Sequence, residues 1–285
     1  MASNRARLYT QDMPNPPNPL ATPSAWELVA KDYTEVTAPF FENYAAVALD
    51  RTGVTTGSRV LDVACGPGTL ALLAAQRGCQ VTAVDFASAM IDELRERIKS
   101  TGLAVTAQVA DGQALPFAAA QFDAVFSMFG LIFFPDRARG LRQMLRVLAP
   151  GGLACIASWQ PMDRFPMLRD VFAALGELLP GMPFGEGKAP LGEPDEIIHE
   201  MTAVGFGGVI VEEVSASFTT ANLDEAWSRL SRGSAPFALL QRNLGMAAWR
   251  KVERGVIEAL RRKYGSGPQT IAMAANLGMG RAPLL

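Results

Sequence analysis

The run Val60-Leu61-Asp62-Val63-Ala64-Cys65-Gly66-Pro67-Gly68-Thr69 sets an acidic residue into the end of a short apolar stretch. A Gly-Pro-Gly turn and a helix-like segment, Leu70 to Gln76, follow it. A strand, a tight glycine loop and a helix start, in that order, build the crevice at the carboxyl edge of an open α/β sheet where ligands bind. Glycine lets the backbone come close to a ligand where a Cβ would clash. The unpaired N–H groups of a helix start favour a negatively charged group. The chemistry implied is the binding of a nucleotide-like cofactor. Gly66-x-Gly68-x-x-Ala71 also fits a dinucleotide fingerprint with Ala in its last place, so the surroundings must decide. Asp62 stands four residues before Gly66, where dinucleotide-binding oxidoreductases usually carry small or apolar residues.

The elements that must position these residues can be read from the apolar pattern. A second run, Gln80 to Val84, ends in Asp85-Phe86, and a third, Val105 to Ala110, ends in Asp111-Gly112. A fourth, Phe122 to Ser127, is followed by Met128-Phe129-Gly130-Leu131. Leu145-Arg146-Val147-Leu148-Ala149-Pro150-Gly151-Gly152 then leads into a fifth strand, Leu153 to Trp159. Between them, Met90, Ile91, Leu94 and Ile98 form one helix face; Leu141, Met144, Leu145 and Leu148 form another, with Asp136 as its N-cap. Strand–helix alternation predicts parallel strands joined by crossovers. The Gly112–Gln121 crossover has no helical pattern and is expected to be a loop or a single turn.

Residues 1–23 are proline-rich and read as a flexible tail. Ser24-Ala25-Trp26-Glu27 fits a capping box, with Trp26, Val29, Ala30 and Tyr33 on one face of the helix it opens. A second helix is expected from about Pro39, with Phe40, Phe41, Tyr44 and Val47 as its apolar stripe, before a break at Gly53–Gly57. Beyond Trp159 the reading gives helices near 166–179, from Pro194 to Val204, from an Asn222-Leu223-Asp224-Glu225 cap through Trp227 and Leu230, and over 246–264. It also gives β-like runs at Gly208–Phe218 and Thr270–Leu277.

Composition narrows the class. Apolar residues make up 49% of the chain, enough for a sizeable core, and 26 Lys+Arg against 28 Asp+Glu leave a net charge of −2 without a basic run. That balance argues against a nucleic-acid partner. No window is long and apolar enough to span a bilayer, and no charged-then-apolar leader opens the sequence; a cytoplasmic setting is expected. Cys65, Cys79 and Cys155 lack metal-ligand spacing and read as reduced structural residues. No metal site is expected.

Four ordered motifs on successive strands resemble those of the class I S-adenosylmethionine-dependent methyltransferases, most closely the ubiquinone/menaquinone-type group acting on small molecules. The resemblance covers residues 26–160 well and the remainder loosely. It implies a Rossmann-like, doubly wound α/β fold with a seven-stranded, mostly parallel sheet, an N-terminal helical lid and helical insertions over the active site. The expected divisions are a tail (1–23), a lid (24–53), the cofactor-binding core (54–160), and cap helices with the last strands of the same sheet (161–285). The cofactor implied is S-adenosyl-L-methionine. By position in the family, Asp85 would hold the ribose diol, Phe86 would pack on the adenine and Asp111 would accept from its exocyclic amine. Gly112 and Gln113 would give backbone contacts, and Met90 would fill space beside the adenosine. The amino-acid end would lie over Ala64, Cys65, Gly66 and the Gly68 turn, with Asp62 favouring its ammonium. Ser127 and Met128 would face the methionine portion, and Tyr33 resembles a closing lid residue. Each has a plainer structural reading: Asp62, Asp85 and Asp111 as turn or helix caps, and Tyr33, Phe86, Met90 and Met128 as core.

The segment after the fourth strand bears on the methyl acceptor. Methyltransferases of bases and amide side chains typically carry Asn/Asp/Ser-Pro-Pro-Tyr/Phe there; Ser127-Met128-Phe129-Gly130 has no paired prolines. Phe129, Leu131, Ile132, Phe133 and Phe134, with Trp159, Phe165, Met167, Met182 and Phe184, read either as a pocket for an apolar or aromatic small molecule or as core. Transfer to O or C is favoured. The single histidine, His199, falls on the polar side of its helix, exposed or paired with Asp195, and no catalytic base is assigned. Two other functions stay open: an NAD(P)-dependent oxidoreductase, and a cofactor-binding accessory protein without methyl transfer.

Overall fold

The apolar runs become strands β1 (Arg59–Val63), β2 (Gln80–Asp85), β3 (Val105–Val109), β4 (Phe122–Met128) and β5 (Leu148–Trp159), joined in one sheet by β6 (Gly207–Thr220) and β7 (Gln269–Arg281). The computed structural model describes residues 18–182, 184 and 188–284. The sheet order is β3-β2-β1-β4-β5-β7-β6. β1 pairs in parallel with β2 and β4, β2 with β3, and β4 with β5; β7 runs antiparallel to both β5 and β6. Helices cover both faces, so β1 is buried over four successive residues, whereas β6 on the edge keeps an alternating half-exposed pattern. Burying Val60, Leu61 and Val63 contributes about 1.5–3 kcal/mol each. That margin allows the same strand to carry buried Asp62.

The helices between strands are α4 (Thr69–Gln76), α5 (Ser88–Thr101) and α6 (Arg137–Val147), with three helices before β1: α1 (Pro23–Glu27), α2 (Ala30–Asp32) and α3 (Ala38–Thr52). Met90, Ile91 and Leu94 are buried on α5, as expected, with Ile98 packed at the margin. Asp136 caps α6, its carboxylate accepting from Arg139 N at 2.8 Å. Residues 112–121 hold no helix. β5 starts at Leu148 rather than Leu153, because Leu148 pairs with Phe122 ahead of a register shift.

The entry to the fold differs from expectation in two ways. Residues 18–22, expected in the tail, form a 3-10 turn at Pro19–Ala21 capped by Asn18, and the Leu20 carbonyl accepts from Trp26 Nε1 at 2.9 Å. The rest of the predicted tail, 1–17, lies outside the described residues. The capping box does not form: Pro23 at the first helical position starts α1 one residue early, and Glu27 reaches Ser88 instead. Nor is the helix that follows continuous. Pro39 has no N–H to give the carbonyl four residues before it, so Tyr33–Thr37 widens into a π turn in which Ala38 N reaches the Tyr33 carbonyl.

Beyond β5, α7 (Pro166–Leu178), α8 (Pro194–Ala203), α9 (Leu223–Arg232), α10 (Ala235–Leu244) and α11 (Met246–Tyr264) complete the chain. α10 has no counterpart in the sequence reading. Helices α7, α9, α10 and α11 enclose their own apolar cluster around Trp227, Phe237, Trp249 and Val256. His199 on α8 is exposed, as expected.

Candidate cofactor and acceptor site

At the carboxyl ends of β1, β2 and β4 a cavity of about 1220 Å³ opens, lined on one side by Trp26, Tyr33, Phe40 and Phe41 of the N-terminal helices. Its floor begins at two strand tips held in the left-handed region: Ala64 after β1 (φ 56°) and Phe129 after β4 (φ 62°). A non-glycine residue there costs about 1–3 kcal/mol, and such strain clusters at ligand sites. Gly66 (φ 54°) follows, and a Cβ on it would meet only the Tyr33 ring, at 3.9 Å. Its backbone therefore faces the cavity directly. Gly68 is glycine for another reason. A Cβ there would overlap Leu94 on α5, so Gly68 packs two helices together and does not line the cavity.

Two carboxylates are buried at these tips. Asp62, 1% exposed, accepts from Ala71 N at 3.2 Å through Oδ2, while its Oδ1 has no partner. Burial pushes its pKa up to about 8, against the lowering bond from Ala71. Asp85, 5% exposed, accepts from Gly66 N and Ala87 N, both at 2.9 Å, tying the β2 tip to the glycine loop. Burial raises it to about 6, and the backbone N–H bonds hold it below Asp62. Burial also raises the Tyr33 hydroxyl and the Cys65 thiol above their ordinary values, with neighbouring carboxylates adding to both. Both are neutral at physiological pH.

Asp111 is exposed and forms a side-chain turn, its Oδ1 accepting from Gln113 N at 2.8 Å. Gln113 reaches across to α6, accepting from Asp136 N at 3.0 Å. Tyr33 stacks on Phe41 at 5.9 Å and meets Trp26 edge-on at 6.5 Å. Met90 is buried among Ala25, Val29 and Ala87, with Phe86 packed alongside.

The cavity thus brings together Tyr33, Asp62, Ala64, Cys65, Gly66, Asp85, Phe86, Met90, Asp111, Gly112, Gln113 and Met128 of the residues singled out from sequence. Ser127 is excluded. It is fully buried beneath the β4 tip, beside Gly130 and Ala64, because alternation along the strand turns it inward while Met128 faces out. The aromatic set divides. Phe129, Phe133, Phe134 and Trp159 line the cavity, whereas Leu131 and Ile132 pack into the core on the far side of the sheet. Phe165, Met167, Met182 and Phe184 do not line it either; Met167 and Phe184 belong to the α7–α11 cluster. In their place stand Phe172 of α7, Phe218 of β6, Arg229 of α9 and Phe237 of α10, none picked out from sequence as site residues. The only signal for Arg229 was its i,i+4 spacing from Glu225, which it meets at 3.0 Å.

Residues 60–152 match the family model described as a methyltransferase domain. This stretch is a methyltransferase domain. The chain shares 38% identity over 125 residues with the uncharacterized protein Rv1405c of Mycobacterium tuberculosis, spanning 44% of each chain. It shares 41% identity over 105 residues with the demethylmenaquinone methyltransferase of Thermus thermophilus, covering 36% of this chain and 48% of that protein. The chain therefore spans less than half the length of these curated relatives. A solved structure of similar fold is phosphoethanolamine N-methyltransferase 2 of Haemonchus contortus in complex with phosphomonomethylethanolamine and S-adenosylhomocysteine. Its TM-score is 0.56 at 21% identity, over 90% of this chain and 59% of that one. These likenesses do not favour the oxidoreductase reading of the glycine loop.

Proposed function

We propose that this chain transfers a methyl group from S-adenosylmethionine to a small, largely apolar or aromatic metabolite, at O or C. The observation that carries the reading is Asp62 Oδ1: a carboxylate oxygen buried at a strand tip beside the cavity, without a partner. Leaving such an atom unpaired is costly, and a cationic amino-acid end would satisfy it. The Gly66 backbone offers the unobstructed approach that the same end requires. Asp85 would take the ribose diol while holding the glycine loop through Gly66 N. Phe86 and Met90 would bound the adenine side, with Asp111, Gly112 and Gln113 at its rim.

When bound, S-adenosylmethionine supplies an electrophilic methyl on a sulfonium, which is transferred by in-line displacement. What the protein contributes is orientation and exclusion of water. Tyr33, stacked on Phe41 above Gly66, covers the cofactor end. Phe129 and Trp159, with ring centroids 4.2 Å apart, form the wall between that end and the apolar chamber. A leaving thioether needs no acid, and a base serves only an acceptor that arrives protonated.

The test is transfer of labelled methyl to a panel of hydroxyarenes and quinol-like acceptors. We expect incorporation into at least one, abolished by saturating S-adenosylhomocysteine. Tight cofactor binding with no transfer to any acceptor, polar amines included, would support the accessory role instead.

A further inference from the structure

Among the described residues lining the cavity, the ionisable side chains of the cofactor end are acidic or neutral: Tyr33, Asp62, Cys65, Asp85 and Asp111. Arg229 alone carries a positive charge, and it stands elsewhere. It extends from α9 over the Phe218 ring, its guanidinium carbon 5.6 Å from the centroid. Phe218 meets Phe40 at 5.3 Å, Phe40 meets Phe41 at 6.0 Å, and Phe41 meets Tyr33 at 5.9 Å. A ladder of four rings in successive contact thus runs from beneath Arg229 to Tyr33 beside Gly66.

The side chain is held in place. Arg229 forms an ion pair with Glu225, one terminal nitrogen 3.0 Å from a carboxylate oxygen, and Glu225 in turn accepts from Ala221 N at 2.8 Å. A guanidinium has five N–H donors in a planar fork, so most remain for another acceptor. Arg229 is 46% exposed at the side chain, so it sits at the mouth of the chamber, where a bound anion would keep part of its hydration. Between the mouth and the cofactor loop the walls are apolar and aromatic, from Phe172, Phe218 and Phe237 to Trp159.

We infer that Arg229 is a specificity-determining residue: the acceptor is an elongated, largely apolar molecule bearing a carboxylate at the end remote from the atom that is methylated. A planar carboxylate matches the guanidinium fork, and the apolar body matches the ring ladder. The inference rests on the methyltransferase reading of the cavity and deepens it.

The test compares 6-hydroxy-2-naphthoate with 6-hydroxy-2-naphthamide, which share a body and differ in charge at one end. Binding is measured calorimetrically to protein saturated with S-adenosylhomocysteine. We expect the acid to bind about three- to tenfold more tightly than the amide, the scale of a half-exposed charge-assisted contact. Arg229→Met should remove that preference, Arg229→Lys should retain part of it, and added salt should weaken it. S-adenosylhomocysteine affinity of each variant serves as the fold control. Equal binding of acid and amide, a preference that survives in Arg229→Met, or no binding of either compound would each overturn the inference. Failure of S-adenosylhomocysteine itself to bind the wild type would instead overturn the underlying reading.

Discussion

The two ends of the cavity are built by different rules. The end proposed to hold the cofactor sits on consecutive strand tips, where Asp62, Ala64, Gly66 and Asp85 are fixed by the register of β1 against β2 and by bonds between backbone and carboxylate. The end proposed for the acceptor is assembled from distant pieces: Phe40 and Phe41 of α3, Trp159 of β5, Phe172 of α7, Phe218 of β6 and Phe237 of α10. Polar recognition needs particular atoms on a rigid backbone, whereas an apolar wall needs only volume of the right shape. Substitutions should therefore act sharply at the first end and softly at the second.

Gly66→Val is expected to have the largest effect. A β-branched residue at φ 54° is strained, and its side chain would fill the space below Tyr33. S-adenosylhomocysteine binding should be lost by calorimetry, and stability should fall by about 1–3 kcal/mol in thermal unfolding. Binding at wild-type strength would break the distinction between the two ends. Asp85→Ala comes next, weakening that ligand by about 1–3 kcal/mol, because both the acceptor for the ribose and the tie to Gly66 N disappear. An unchanged Kd would remove the ribose assignment.

The buried carboxylates also give a pH signature. Asp62 and Asp85 are raised to about 8 and about 6 by burial, above the ordinary carboxylate value of about 4. The folded protein without ligand therefore holds protons that the unfolded chain releases. The stability these groups contribute is full below pH ~4 and is lost as pH rises through about 8. An ammonium placed beside it favours the ionised Asp62, so binding of S-adenosylhomocysteine through its amino-acid ammonium should release a proton and tighten between about pH 6 and 8. Titration in two buffers of different ionisation enthalpy measures that proton, and Asp62→Asn should abolish the part due to this group. The smallest effect is expected at the other end: Phe172→Leu should change which acceptors are methylated and leave ligand affinity at the cofactor end within about 0.5 kcal/mol. A larger loss there would show that the two ends are not separable.

The same contrast governs what was legible in the sequence. Strands β1, β2, β4 and β5 announced themselves because a buried parallel strand is a continuous apolar run; β3 is a half-exposed edge strand, and the tips of β1 to β3 carried Asp62, Asp85 and Asp111 in order. Ser127, expected to face the methionine portion, is turned beneath the β4 tip by one step of strand alternation. The π turn at Tyr33–Thr37 follows from Pro39, yet only the packed lid shows where the ladder of bonds gives way. α10 was hidden because Gly233-Ser234-Ala235-Pro236 reads as a break; there the glycine is required by Thr37, which a Cβ would overlap, and Pro236 lies inside the first turn. Arg229 and Phe218 carry no motif at all. They meet at the cavity because β6 returns to the sheet edge and α9 folds back over it.

The most direct test is a crystal structure of the protein with S-adenosylhomocysteine. We predict the ligand's ammonium within hydrogen-bond reach of Asp62 Oδ1, directly or through one water, with both ribose hydroxyls on Asp85. A nucleoside lodged elsewhere, or Asp62 Oδ1 still without a partner beside a bound ligand, would contradict the account.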